Sequence, residues 1–187
     1  MESEWRTRKT RIDAALRQSR WEIVPHAPEL DLSSLIHHAV EELPTEHGPA
    51  DYALVVDGQL LGVVEAKKLS LGPQNVLVQA ERYSRGATQS GLDFRGFRVP
   101  FLCSTNGEVI WFHDVRHELE CSRRISAFPT PAALTERMTR NFEADCESLL
   151  DSPNEHPRLR PYQCEANAAT EAAIVARKRQ MLVAMAT

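Results

Sequence analysis

Asp51, Glu65 and Lys67 are the residues of this 187-residue chain whose types and spacing point most directly to chemistry. They stand at the outer ends of two β-rich runs, Asp51 to Val56 and Gln59 to Lys67. The pair Asp57-Gly58 joins the runs and tolerates positive φ, which is a hairpin signal. Leu54 and Val56 alternate with Ala53 and Val55, and Leu61 and Val63 with Leu60 and Val64. Both faces are therefore apolar, as in a sheet covered on both sides. A carboxylate at the end of such a strand is expensive unless a metal ion or a partner compensates it. An odd-length connection, such as a three-residue loop with Gly58 left-handed, puts Asp51 and Glu65 on one face. A two-residue turn puts them on opposite faces, because a one-residue slip flips every side chain. Lys67, two residues beyond Glu65, shares its face. Two carboxylates and an ammonium at one sheet edge suit metal-dependent hydrolysis of a phosphodiester. The carboxylate oxygens are hard ligands for Mg²⁺, the ion acidifies a bound water and polarises the phosphate, and the lysine orients that water and offsets developing charge. The competing reading is a strand that ends in charged residues at the solvent.

The elements around these residues have to form a sheet. An amphipathic helix is expected over residues 3–20, with Ile12, Ala15 and Leu16 at helical spacing, and a short helix near Leu32 to Glu42. Pro73 opens a helix that runs to about Ser90, on which Gln79 and Tyr83, four residues apart, share a face. Arg82 and Arg85 lie beside them as candidate contacts to a phosphate backbone. A strand from about Arg98 to Ser104 turns at Asn106-Gly107 into Val109 to His113, Arg123 to Phe128 adds a fifth strand, and Thr130-Pro131 starts a helix to about Leu150. The fold class is α/β, a mixed central β-sheet flanked by helices. Residues 152–158, polar and twice interrupted by proline, read as a linker. An Ala-rich helix to about Gln180 and an apolar run from Met181 to Ala186 follow it.

Composition excludes several classes. At 42% hydrophobic and 26% charged the chain is expected to fold. No apolar run approaches the roughly 20 residues that span a bilayer, and the first residues lack a signal core, so a cytoplasmic protein without membrane contact is expected. With 22 basic and 26 acidic side chains the net charge is −4, and nucleic-acid contact has to come from a local patch. Arg6, Arg8, Lys9, Arg11, Arg17 and Arg20 against Glu2, Glu4 and Asp13 form one, read equally as phosphate contacts or as a solvated helix face. Cys103, Cys121, Cys146 and Cys164 stand singly and read as free thiols. The spacing of Cys103, His113, His117 and Cys121 is too loose for a zinc site.

Asp51 followed by Glu65-Ala66-Lys67 across a hydrophobic hairpin resembles the Asp…Glu-x-Lys signature of the PD-(D/E)XK nuclease superfamily, with Pro49 one place further from the acid than the motif name implies. Gln79-Ala-Glu-Arg-Tyr83 resembles the Gln-x-x-x-Tyr motif of its RecB-like branch. With Glu4-x-x-Thr7-Arg8, Ile12-Asp13-x-x-Leu16 and Trp21, the whole is similar to the N-terminal nuclease domain of the restriction (HsdR) subunit of Type I restriction enzymes. Leu159-Arg-Pro-Tyr-Gln163 is similar to the adenine-reading Gln motif of superfamily 2 motors, and Met181 to Thr187 to the strand before a Walker A loop.

The resemblance implies a PD-(D/E)XK endonuclease domain over residues 1–151, the 152–158 linker, and the start of a motor over 159–187. It implies Mg²⁺-dependent cleavage of double-stranded DNA in assembly with modification and specificity subunits. Asp51, Glu65 and the Ala66 carbonyl would hold the metal and Lys67 would act on the base side. Gln79, Tyr83, Arg82, Arg85 and Glu4 would support the site, with Gln163 touching nucleotide only in a longer protein. The Gly-rich loop and lysine of a phosphate cradle do not occur in this sequence, so ATP binding by the chain alone is not expected. The alternatives are a non-cleaving DNA-binding or subunit-assembly module and a standalone RecB-like nuclease.

Overall fold

The computed structural model describes residues 4–67, 77–117, 120–152, 156–178 and 180–184. The chain divides by contacts into two units, residues 1–137 and 138–187.

The first unit is built on a seven-stranded sheet in which sequence neighbours are spatial neighbours: β1 (Glu22–Pro25), β2 (His37–Leu43), β3 (Ala50–Val56), β4 (Gln59–Ala66), β5 (Phe101–Thr105), β6 (Ile110–Asp114) and β7 (Arg123–Ile125). The pairs β1–β2 and β4–β5 are parallel and the others antiparallel, so the sheet is mixed and the fold is α/β. The parallel step from β4 to β5 needs a crossover, which carries helix α3 (Leu77–Arg85). The expected start of that helix at Pro73 lies outside the described residues, and it ends before Ser90. Helix α1 (Glu4–Thr7), a π-helical turn (Arg8–Ile12) and α2 (Asp13–Gln18) follow one another along residues 4–18, as the apolar spacing there predicts.

Alternation along β3 sorts the core into two layers. Ala53 and Val55 join Val40, Leu60, Val63 and Leu102 in a cluster with Leu77, Ala80 and Tyr83 of α3. Tyr52 takes the other face, where its hydroxyl donates to Asp13 Oδ1 of α2 at 2.5 Å, alongside the buried Ile12 and Leu16. Burying both faces explains why β3 and β4 read as unbroken apolar runs.

Two expectations are corrected. The stretch near Leu32 to Glu42 is a single 3₁₀ turn (Leu32–Ser34) followed by β2. Its acids Glu41 and Glu42 disfavour a strand by type, and they are countered there by Lys9 and Arg8. The helix after Thr130 is two, α4 (Pro131–Thr139) and α5 (Phe142–Asp151), because Asn141 interrupts it: its side chain accepts from Ala144 N at 3.3 Å and its carbonyl from Asp145 N at 2.9 Å. By contacts the first unit ends at Arg137, and α5 makes contacts with α6 (Pro161–Val175) within the second unit.

In that second unit α6 buries none of its side chains, and residues 181–184 are not a strand: Leu182 is 94% exposed and Met181 and Val183 about half exposed. Gln163 closes its own helix, Oε1 accepting from Arg160 N at 2.9 Å.

Candidate active site

How Asp51 comes to lie beside Glu65 depends on one residue of β4. The turn is a two-residue one, with Asp57 at φ 48° and Gly58 at φ 77°, closed by the pair Val56↔Gln59. Gly58 is required there twice over, since a Cβ would also stand 2.9 Å from the Ser33 carbonyl. Such a turn alone would separate the acids. The register shifts from Val55↔Leu60 to Leu54↔Gly62, so that Leu61 is a bulge, and Tyr52 then pairs with Val64. The extra residue expected in the loop is in the strand, and it restores the shared face.

The carboxylates meet at the ends of the strands. Asp51 Oδ2 accepts from the Ala66 backbone N–H at 2.6 Å, which fixes one acid against the residue next to the other. Glu65 is 2% exposed. Its Oε1 takes the Lys67 ammonium at 2.5 Å, and its Oε2 is buried with no hydrogen-bond donor among the described residues. Burial first, and then the charge of Asp51, push the Glu65 carboxyl up to about 7, against the opposing pull of Lys67. Lys67 is held by its backbone N–H, which donates to the Thr105 carbonyl of β5 at 2.8 Å.

Gln79 and Tyr83 do share a face of α3, and Gln79 Nε2 donates to the Tyr83 hydroxyl at 2.6 Å. Burial raises the Tyr83 hydroxyl above the usual phenol range, Gln79 opposes the shift, and the charges of Glu65 and Asp51 add to it, so the pair lies within the electrostatic reach of the acids. Arg82 is exposed on the same helix. Arg85 turns aside, its guanidinium 3.7 Å from the centre of the Phe97 ring. Glu4 opens α1, and its side chain lies outside the described residues. Gln163 belongs to the second unit and is engaged in its own helix cap.

Arg8 is a site residue that sequence reasoning placed elsewhere. Its Nη1 lies 3.0 Å from Asp51 Oδ1 and its Nη2 donates to the Asp51 carbonyl at 3.2 Å. It also contacts Glu42 and stacks over the Tyr52 ring at 5.1 Å. The basic helix face is thus largely engaged with protein carboxylates, with Lys9 on Glu41, Arg11 on Glu108 and Arg17 on Asp13. The Glu-x-x-Thr-Arg run carried a hint of a role for Arg8 and none of its target, forty-three residues away.

A divalent cation suits the pair of acids. A buried carboxylate oxygen without a donor, beside a second carboxylate, is short of positive charge and offers a hard ligand. Among the described residues no group of three or more His, Cys, Asp or Glu forms a metal cluster.

Residues 34–138 match the family described as the second domain of the Type I restriction enzyme EcoKI endonuclease subunit. The Type I restriction enzyme EcoKI endonuclease subunit of Escherichia coli strain K12 is 28% identical over 225 residues, an alignment that takes in 94% of this chain and 19% of that protein. A solved fragment assigned as an HsdR subunit of a type I restriction enzyme from Vibrio vulnificus YJ016 is 25% identical with a TM-score of 0.49, covering 99% of this chain and 35% of the other. The chain spans about a fifth of the length of the curated relative.

Proposed function

Because this chain belongs to the family of the Type I restriction endonuclease subunit second domain, we propose that Asp51, Glu65 and Lys67 form the nuclease centre of a restriction subunit. In this reading the fold is of the PD-(D/E)XK kind and the substrate is double-stranded DNA. The observation that carries it is Glu65: a buried acid with no donor to one oxygen among the described residues, set beside Asp51 by a bulge and beside Lys67 by strand alternation. A strand merely ending in solvent-facing charges would leave Glu65 hydrated.

Asp51, Glu65 and the Ala66 carbonyl would hold Mg²⁺, which when bound polarises the scissile phosphate and acidifies a water. The protein's part is then positional. The Ala66 N–H fixes the plane of the Asp51 carboxylate, and the Lys67 ammonium orients the attacking water and stabilises charge as the phosphorane-like state forms. Gln79 and Tyr83 present a hydrogen-bonded pair to the DNA backbone near the cut, and exposed Arg82 adds charge. DNA sequence recognition falls to modification and specificity subunits, and translocation to a motor in the longer protein, whose opening we read in residues 159–187 with Gln163 at the adenine.

The test is plasmid cleavage by the full-length subunit assembled with its partners, with ATP and Mg²⁺. Loss of cleavage in Asp51→Ala and Glu65→Ala with ATP hydrolysis retained supports the reading. Undiminished cleavage in both would return the domain to a DNA-binding or assembly role.

A further inference from the structure

Arg8 has no part in the chemistry just described, yet its guanidinium reaches the metal-side acid from outside the β3–β4 hairpin. It projects from the first residue of the π-helical turn, is 12% exposed, and spans Asp51 from side chain to main chain: Nη1 on Oδ1 at 3.0 Å, Nη2 on the carbonyl at 3.2 Å. Since Oδ2 of the same acid accepts from Ala66 N, both carboxylate oxygens are held from fixed donors. Two distortions accompany this grip. The π-turn is a costly local departure from the α-helix. Opposite it, Glu42 adopts φ 54° in β2, where the ladder passes from Glu41↔Tyr52 to Leu43↔Ala50 and skips it, and the same Glu42 takes Arg8. Left-handed backbone at a glutamate persists only where surroundings fix it.

We infer that Arg8 is the positioning residue of Asp51: its fork on the side-chain and main-chain oxygens sets the rotation of the carboxylate beside Glu65. The inference rests on the nuclease reading. It assigns Arg8 to the interior of the site and away from DNA phosphate. A lysine cannot replace it, because a single ammonium does not bridge the side-chain and main-chain oxygens as a planar fork does.

The role separates rate from metal affinity. Taking away a cation does not weaken attraction for another cation, whereas a ligand misplaced by about an ångström costs on the order of 100-fold in rate. The experiment measures cleavage by the assembled full-length enzyme against Mg²⁺ concentration for wild type, Arg8→Ala, Arg8→Lys and Asp51→Ala, with melting temperatures of each. The expected result is a fall of roughly 10- to 100-fold in the rate of Arg8→Ala at saturating Mg²⁺, with half-saturation unchanged or lower. Arg8→Lys should keep the wild-type melting temperature and recover the rate only in part. A wild-type rate in Arg8→Ala, or a loss that more Mg²⁺ reverses, would overturn the inference. If the alanine variant does not fold, Arg8→Lys decides, and full activity in it is equally contrary. Asp51→Ala distinguishes the two readings. Full activity in Asp51→Ala removes the nuclease centre itself, while an inactive Asp51→Ala beside a fully active Arg8→Ala removes only the role of Arg8.

Discussion

Glu65 and Asp114 are buried to the same depth, 2% and 1% exposed, on strands separated only by β5, and their surroundings are opposite. Asp114 is closed off. Arg116 meets it with Nε on Oδ1 at 2.9 Å and Nη2 on Oδ2 at 2.8 Å, adds its backbone N–H to Oδ1, and lies over the Phe101 ring. Glu65 has Lys67 on one oxygen, no donor among the described residues on the other, and a second acid beside it. A buried carboxylate that serves the fold has its charge and lone pairs matched by protein. One left short of donors costs stability unless something bound supplies the missing positive charge. Their hairpins differ in the same sense. From Phe101↔Asp114 to Thr105↔Ile110 the β5–β6 register runs without a shift, whereas β3–β4 carries the Leu61 bulge that brings two acids together.

The comparison breaks most visibly in activity. Asp51→Ala and Glu65→Ala should each lower cleavage by the assembled enzyme by about 1,000-fold or more, while Asp114→Asn, at matched protein stability, should leave the rate within a few-fold. A plasmid assay that found the Asp114 variant as impaired as the others would erase the distinction. Lys67→Ala should lose roughly 100-fold or more in rate and still bind metal, because an ammonium is not a ligand.

Stability should move in opposite directions at the two acids. Asp114→Asn leaves a buried guanidinium without its counter-charge and should cost about 2 to 3 kcal/mol in urea unfolding. In EDTA, Glu65→Gln should instead stabilise by about 1 kcal/mol, since the amide removes the repulsion from Asp51 and still accepts from Lys67. The pH dependence sharpens this. With the Glu65 carboxyl pushed up to about 7 in the fold and an ordinary value of 4.5, the folded protein retains a proton that the unfolded chain has released between those values. Metal-free wild type should therefore lose stability as pH rises through that window, and Glu65→Gln should lack that contribution to the slope. Equal slopes would mean that Glu65 is compensated as fully as Asp114.

Much of the site was legible because it is local in sequence. The hairpin follows from Asp57-Gly58 between two apolar runs with an acid toward the outer end of each, the lysine stands two residues beyond Glu65, and Gln79 and Tyr83 stand four apart. What escaped depends on distant contacts. The residue that decides the shared face is Leu61, one leucine of a Leu60-Leu61 pair that gives no outward sign of which one bulges. β2 looked helical, because the acids that argue against a strand are answered by Lys9 and Arg8 from another element. Arg8 itself read as part of a basic face, for phosphate contact or for solvent alike, since nothing in the first twenty residues names Asp51 as its target. Asn141, by contrast, was a readable cap that splits the helix after Thr130.

The most direct test of a cation-binding pair at the ends of β3 and β4 is calorimetric titration of Mg²⁺ into this chain and into its Glu65→Gln and Lys67→Ala variants. Binding by wild type and Lys67→Ala, with none in Glu65→Gln, is the expected outcome. Indistinguishable binding by wild type and Glu65→Gln would place the metal elsewhere and contradict the assignment.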